Sequence, residues 1–518
     1  MTFLTDRTGY GHEHSSTDNA AVLAIFTLLV CTSLSPVLLT PIPAMVDYPN
    51  HLARMYLLVR DGTPNANPHY QAAWAPYPDL AVDLFVPRLS RVLTVETASR
   101  LFLFLSQCLV ISGALALERV VKGRFDIAGF VAVMFLYCLP FAWGFVNFEF
   151  GIGLSLWGLA AMLSTMERPW PVRLSVNALF VAALFTAHFF ALGVYGVTLG
   201  ICELWRARDR KTSHRETAFR LTLLAIPALA LLAVMQLTAG AIGFEGTDWF
   251  FPFKLLWPFR IMSGYSMTAA AASMGVLIGA IYIAGKRGYL QVEACGVWIA
   301  IGFSFLYLAI PSRLFGTSFA DLRILVAAAL ILPAFCTLSM PRRARIAALA
   351  ATITITLVNL ATVMATWLSY RADYAAMIDS FHKLKSDSIV LVGTNGDGDD
   401  PPFGDLTEYP MYNAPTLAAA HAGAFVPNPF AAVGKQPIEV RPAVQHLAVP
   451  SAGPVPLAVL TAIAAGKTAS EIPKFVRSWT RDYDYLYLLG PPVANPMPEL
   501  LDVLATSRRF VLYRIRRL

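Results

Sequence analysis

Three residue types that can do chemistry lie together early in the chain. In PIPAMVDYPNHLAR, Asp47, His51 and Arg54 recur at i, i+4 and i+7, which is one stripe of a helix. A carboxylate so placed can act as general base toward a hydroxyl or can hold a metal. His51 and Arg54 can bind a phosphate or tune that acid. Asp47 can equally serve only to cap the helix that follows it, and on these residues alone both readings stand. Glu149, in GFVNFEFG, is a lone acid beside Asn147 in a strongly apolar stretch. It reads as a functional carboxyl or as an interfacial loop acid open to water. His188, in FTAHFFAL, falls at a turn between apolar runs, as a ligand-binding or a structural histidine. SRLFGTSFADLRIL supplies Arg313, Asp321 and Arg323. Arg is the natural partner of a pyrophosphate, and an Asp321–Arg323 pair that anchors a helix end is the alternative.

The elements that must position these residues are membrane helices. Of the 518 residues, 56% are hydrophobic and only 14% charged, against about 25% charged in a soluble chain. Lipid is what such a surface faces. Crossing a bilayer takes about 20 apolar residues, and eleven stretches qualify: 21–40, 97–117, 126–144, 150–166, 173–187, 189–205, 221–239, 266–285, 292–310, 322–340 and 346–369. The polar start carries Arg7 as its only basic residue before the first run, which reads as an uncleaved first helix. The fifth and sixth runs are separate spans only if the chain breaks at His188.

Charge decides that point. With eleven spans, the short loops on one side hold sixteen Lys and Arg and those on the other hold four. The positive-inside rule puts the rich side in the cytoplasm, hence the N-terminus inside and the C-terminal region outside. The net charge of +7 therefore reflects membrane orientation, and no nucleic-acid face is expected. All four clusters then fall on the external side. Asp47, Glu149, His188, Arg313 and Arg323 are expected to line one cavity there, because ionisable groups at membrane depth are costly unless they function.

The expected fold is mainly α: a polytopic helix bundle of about 11 spans over 1–370, then an extracytoplasmic α/β domain over 371–518. Within the long first external loop, 41–96, residues 48–60 form an amphipathic helix suited to the membrane interface, and 79–93 repeat the pattern more weakly around Pro87. In the terminal domain SIVLVG, YDYLYLLG and RFVLYRIR read as strands. Helical patterns lie near 371–385, 455–476 and 497–507. NGDGDD (395–400) resembles a calcium loop but has Asp400 where Gly belongs and Leu406 where the bidentate Glu belongs, so it reads as a turn. The six cysteines, Cys31, Cys108, Cys138, Cys202, Cys295 and Cys336, all lie in or beside apolar runs. Neither a disulfide in the tail nor a thiolate metal site is expected.

An acid just past the first span, a long external loop with amphipathic helices, many further spans and an external terminal domain together resemble the membrane-embedded C-type (GT-C fold) glycosyltransferases. The resemblance implies a bacterial inner-membrane enzyme with a periplasmic domain, a polyprenyl-phosphate-linked sugar as donor and membrane lipid as partner. It implies that Asp47 is the base and that Arg313 or Arg323 grips the lipid phosphate. From their own settings in the sequence, Glu149 is expected as a second catalytic carboxyl and His51, Arg54, His188 and Asp321 as further substrate-binding positions. Many members carry two adjacent acids where this chain has Asp47 followed by Tyr48, which leaves a divalent metal open. The competing classes are a lipid or small-molecule transporter or flippase, and a non-enzymatic membrane assembly protein. No repeated half, the mark of many transporters, is visible.

Overall fold

In the computed structural model of the chain, residues 16–238, 247–251, 253–314, 317–396, 410–450, 452–467 and 472–517 are described. The helices run, in chain order, α1 (Ser16–Leu39), α2 (Tyr48–Arg60), α3 (Ala81–Leu89), α4 (Val95–Lys122), α5 (Ala128–Phe135), α6 (Leu139–Trp143) and α7 (Val146–Ser164). They continue with α8 (Trp170–Ala187), α9 (Phe189–Asp209), α10 (His214–Thr238), α11 (Phe253–Leu256), α12 (Met267–Lys286), α13 (Ala294–Ala309), α14 (Ala320–Ile331) and α15 (Arg342–Ser380). Eight of these, α1, α4, α7, α8, α9, α10, α12 and α15, are long and apolar enough to cross a membrane. This is an integral membrane protein.

The other three apolar stretches make shorter helices. Residues 126–144 break into α5 and α6 at Cys138, which is extended (ψ 167°) as the N-cap of α6, with Pro140 in that helix's first turn, where its missing N–H costs nothing. Gly144, at φ 93°, then ends α6 in a left-handed turn that suits glycine. The 292–310 stretch yields the 16-residue α13, and 322–340 yields the 12-residue α14. The break at His188 is as expected: it closes α8 and opens α9 with extended backbone (φ −164°, ψ 119°).

Compactness divides the chain into two units. The first comprises Met1–Leu39, Pro78–Ala81 and Leu101–Met364. In it α7, α8, α9 and α10 are tied by polar contacts in an apolar setting. Ser155 donates to the Ala191 carbonyl (2.9 Å), Tyr195 to Asn177 (2.9 Å) and Asn177 to the Leu224 carbonyl (2.9 Å), while Arg173 pairs with Glu203.

The second unit comprises Thr40–Tyr77, Val82–Arg100 and Ala365–Leu518. Most of the loop 41–96 thus belongs to the same compact unit as the C-terminal residues. β1 (Tyr70–Ala72) pairs antiparallel with a strand at Ile438–Val440. Two short strands of the first unit, β2 (Leu290–Val292) and β3 (Cys336–Leu338), form a separate pair. With β4 (Val390–Thr394), β5 (Ile438–Val440), β6 (Val455–Pro456), β7 (Tyr485–Leu489), β8 (Leu501–Thr506) and β9 (Phe510–Ile515), the main sheet has the order β6-β4-β7-β9-β8. β4 is parallel to β6 and β7, and β9 is antiparallel to β7 and β8. Leu57 and Tyr70 of the first loop share a core with Trp479, Tyr483, Leu486 and Tyr513.

The three expected strands are all present. The helix expected near 497–507 is instead the strand β8. Its apolar residues suit a helical face or a pleat, and pairing with β9, through a bulge between Val503 and Ala505, selects the pleat. Helix α2 has the expected bounds, but Tyr48 to Leu57 are buried except His51, so it is a packed helix. The calcium-loop likeness of NGDGDD falls on residues from 397 onward, which lie outside the described residues, as does the polar start around Arg7.

Candidate functional site

Asp47, His51 and Arg54 belong to the second unit. Asp47 holds the N-cap position of α2, and Pro49 starts that helix where its missing N–H costs nothing. The Asp47 side chain makes no capping bond; its backbone has helical angles (φ −91°, ψ −9°). Asp47 Oδ1 instead accepts from Asn413 Nδ2 at 3.1 Å, and the same amide nitrogen donates to the Val46 carbonyl at 3.2 Å. One turn on, His51 Nδ1 lies 3.3 Å from Arg54 Nη2, and its ring meets Phe430 edge-on at 5.1 Å.

Arg54, 3% exposed, forms a two-pronged ion pair with Asp83 of α3: Nε to Oδ1 at 2.7 Å and Nη2 to Oδ2 at 2.9 Å. Asn50 fixes the facing loop, donating to the Asn428 carbonyl (3.2 Å) and accepting from Phe430 N–H (2.7 Å). On the same helix, burial pushes the Tyr48 and Tyr56 phenols up, so both stay neutral, and Tyr56 donates to Glu96.

Glu149, His188, Arg313, Asp321 and Arg323 belong to the first unit. Glu149 stands in the first turn of α7, 7% exposed, and neither carboxylate oxygen has a hydrogen-bond partner among the described residues. It is buried, and so departs from the water-exposed loop acid considered above. Arg323 lies over three rings, Phe145 (4.4 Å), Phe148 (5.7 Å) and Phe190 (5.6 Å). The His188 ring meets Phe148 edge-on at 5.5 Å. Arg323 and His188 therefore border one aromatic box, built from the start of α7, the α8–α9 break and α14.

Asp321 is fully buried: Ser312 donates to it at 2.5 Å, and Lys254 Nζ stands 3.9 Å away. Lys254 itself, 0% exposed, donates to the Tyr307 (2.7 Å), Leu308 (3.3 Å) and Ile310 carbonyls. It satisfies orphan carbonyls at the end of α13. Arg313 is exposed, and its backbone pairs with Asp248. Asp321 thus orders the turn beside Arg313, while Arg323 faces the rings.

Four contributors escape a reading of spacing: Asp83, Asn413, Asp79 and Lys254. Asp79 accepts from Phe189 N–H at 2.7 Å, and its carbonyl accepts from Asn147. A lone Lys in the aromatic run WFFPFKLLWPF was a visible signal for Lys254; nothing local marks the other three. Among the described residues no three His, Cys, Asp or Glu side chains gather as metal ligands.

No protein-family model matches the chain, and no curated protein sequence matches it significantly. Solved structures do match. The crystal structure of ArnT from Cupriavidus metallidurans bound to undecaprenyl phosphate superposes with a TM-score of 0.52 at 11% identity, covering 97% of this chain and 98% of that one. The apo structure of the same protein gives 0.51 at 10% identity, over 97% and 99%. The chain therefore shares the fold of ArnT, a C-type (GT-C fold) glycosyltransferase, as the sequence resemblance implies.

Proposed function

We propose that the chain is a membrane glycosyltransferase that moves a sugar from a polyprenyl-phosphate donor to an acceptor on the extracytoplasmic side of a bacterial inner membrane. The observation that carries this is the match, over 97% of the chain, to a structure bound to undecaprenyl phosphate. The three shorter apolar stretches, formed by α5 with α6, by α13 and by α14, complete the crossings, giving eleven, with the N-terminus cytoplasmic and the terminal α/β domain periplasmic. Asp47 acts as general base toward the acceptor hydroxyl. Its support is a carboxylate held by Asn413 instead of being used as a helix cap. His51 and Arg54 set the face beside it, and Asp83 fixes Arg54 in place.

Arg323 and His188 receive the lipid phosphate, with Arg313 as a further cation at the rim and Asp321 ordering its turn. A guanidinium over aromatic rings keeps its charge, and its planar geometry matches an oxyanion. Glu149 offers the sugar a carboxyl inside the bundle.

The test is direct. The full chain, purified in detergent, is given a polyprenyl-phosphate sugar carrying a radiolabel in the sugar. Release of polyprenyl phosphate with labelled product is expected. Movement of intact donor across proteoliposomes without cleavage would instead make the chain a flippase.

A further inference from the structure

We infer that Asp79 is a positioning residue that lets His188 meet a phosphate group as a charged imidazolium, an inference that rests on the phosphate role proposed for His188. Asp79 lies in the short segment Pro78–Ala81 of the first unit, with φ at +64°. A left-handed backbone is strained for a residue with a side chain and persists where surroundings impose it. Three bonds impose it here. The Asn147 side chain donates to the Asp79 carbonyl, Leu80 N–H donates to the Thr186 carbonyl at 2.7 Å, and Phe189 N–H donates to Asp79 Oδ1 at 2.7 Å.

The same Oδ1 stands 3.9 Å from His188 Nδ1. That nitrogen accepts from Phe190 N–H at 3.2 Å, which puts the proton of the neutral ring on Nε2. The charges acting on the imidazole come from two directions. Burial, the largest influence, holds the imidazole well below its ordinary range; Asp79 acts in the opposite sense, and Arg323 adds to the lowering. On α7, the packed element, Glu149 is the titratable group, two residues before Gly151, where a Cβ would come within 2.8 Å of His188 Cβ.

A phosphate arriving at Arg323 offsets that residue's positive charge and tips the ring toward protonation. The new Nδ1–H then gives up Phe190 N–H and turns to Asp79 Oδ1, while Nε2–H is left to donate to the phosphate. The proton comes from solvent, and apart from this new N–H bond no covalent bond changes.

The substitution Asp79→Asn separates this role from a structural one. An amide oxygen still accepts from Phe189 N–H, but the charge is gone. The full-length protein, labelled with ¹⁵N-histidine and held in detergent, is titrated by NMR, with His188 assigned through His188→Gln. The His188 midpoint is expected to fall by about 1 pH unit in Asp79→Asn. In wild type it is expected to rise when undecaprenyl phosphate is added. A matching rise with inorganic phosphate means that the phosphate group itself is recognised, and a rise with the lipid alone means that the headgroup is read on its carrier. An unchanged midpoint in Asp79→Asn overturns the inference, as does a wild-type midpoint that neither phosphate moves. Absence of sugar transfer by wild type would sink the glycosyltransferase reading and leave the titration untouched.

Discussion

At the residue scale, Asp47 and Arg54 stand on one helix face with different commitments. Asp47 is half-buried and oriented by a neutral amide at 3.1 Å. Asn413→Ala removes that bond together with the one to the Val46 carbonyl, and should raise the transfer barrier by about 1 kcal/mol, roughly fivefold in rate, with the fold intact. A melting curve unchanged beside a slower rate would show it. Arg54 and Asp83 are both buried, in contact through two bonds. Removing one partner of such a pair strands a buried charge, so Asp83→Ala should destabilise the protein by about 3–5 kcal/mol. Thermal unfolding in detergent measures this, and a loss under about 1 kcal/mol would mean that water reaches the guanidinium. The spacing of 47, 51 and 54 was readable because a helix relates residues four and seven apart. Their partners were not, since Asp83 lies 29 residues from Arg54 and Asn413 lies 366 from Asp47. No periodicity reaches that far.

At the element scale, the site of the first unit depends on how closely α7 approaches the α8–α9 break. Gly151 permits that approach, because a Cβ there would stand 2.8 Å from both His188 Cβ and Ala191 Cβ. Cβ atoms are fixed to the backbone and cannot yield as a flexible side-chain tip can. Gly151→Ala should therefore displace His188, raising the donor KM while the helices still form, which steady-state kinetics alongside circular dichroism would report. Elements with one clear period were legible in the sequence. Examples are α2, the break at His188, and the strands β4, β7 and β9. The segment 497–507 was not, because Leu500, Leu501, Val503 and Leu504 fit a helical face as well as a strand. The antiparallel partner β9, met only in the fold, decides between them. The three shorter stretches look like spans in sequence because composition registers apolar length, while the extended Cys138 divides the run 126–144 into two helices.

At the scale of the whole molecule, the charge asymmetry of the loops predicts which side each faces. Reporter fusions at Arg210 and Lys286 should score cytoplasmic, and fusions at Thr247 and Gly434 external. A cytoplasmic score at Gly434 would give the crossings even parity and move the terminal domain to the other side. Asp47→Asn tests the account's central claim, that this chain transfers a sugar from a lipid phosphate with Asp47 as base. The measurement is the single-turnover rate of sugar transfer from a polyprenyl-phosphate donor by purified wild type and by Asp47→Asn, at equal folded fraction. The account predicts measurable transfer by wild type and a fall of about 10²–10⁴-fold in the variant, with donor binding retained. Equal rates in the two proteins would contradict it and return Asp47 to a structural part at the start of α2.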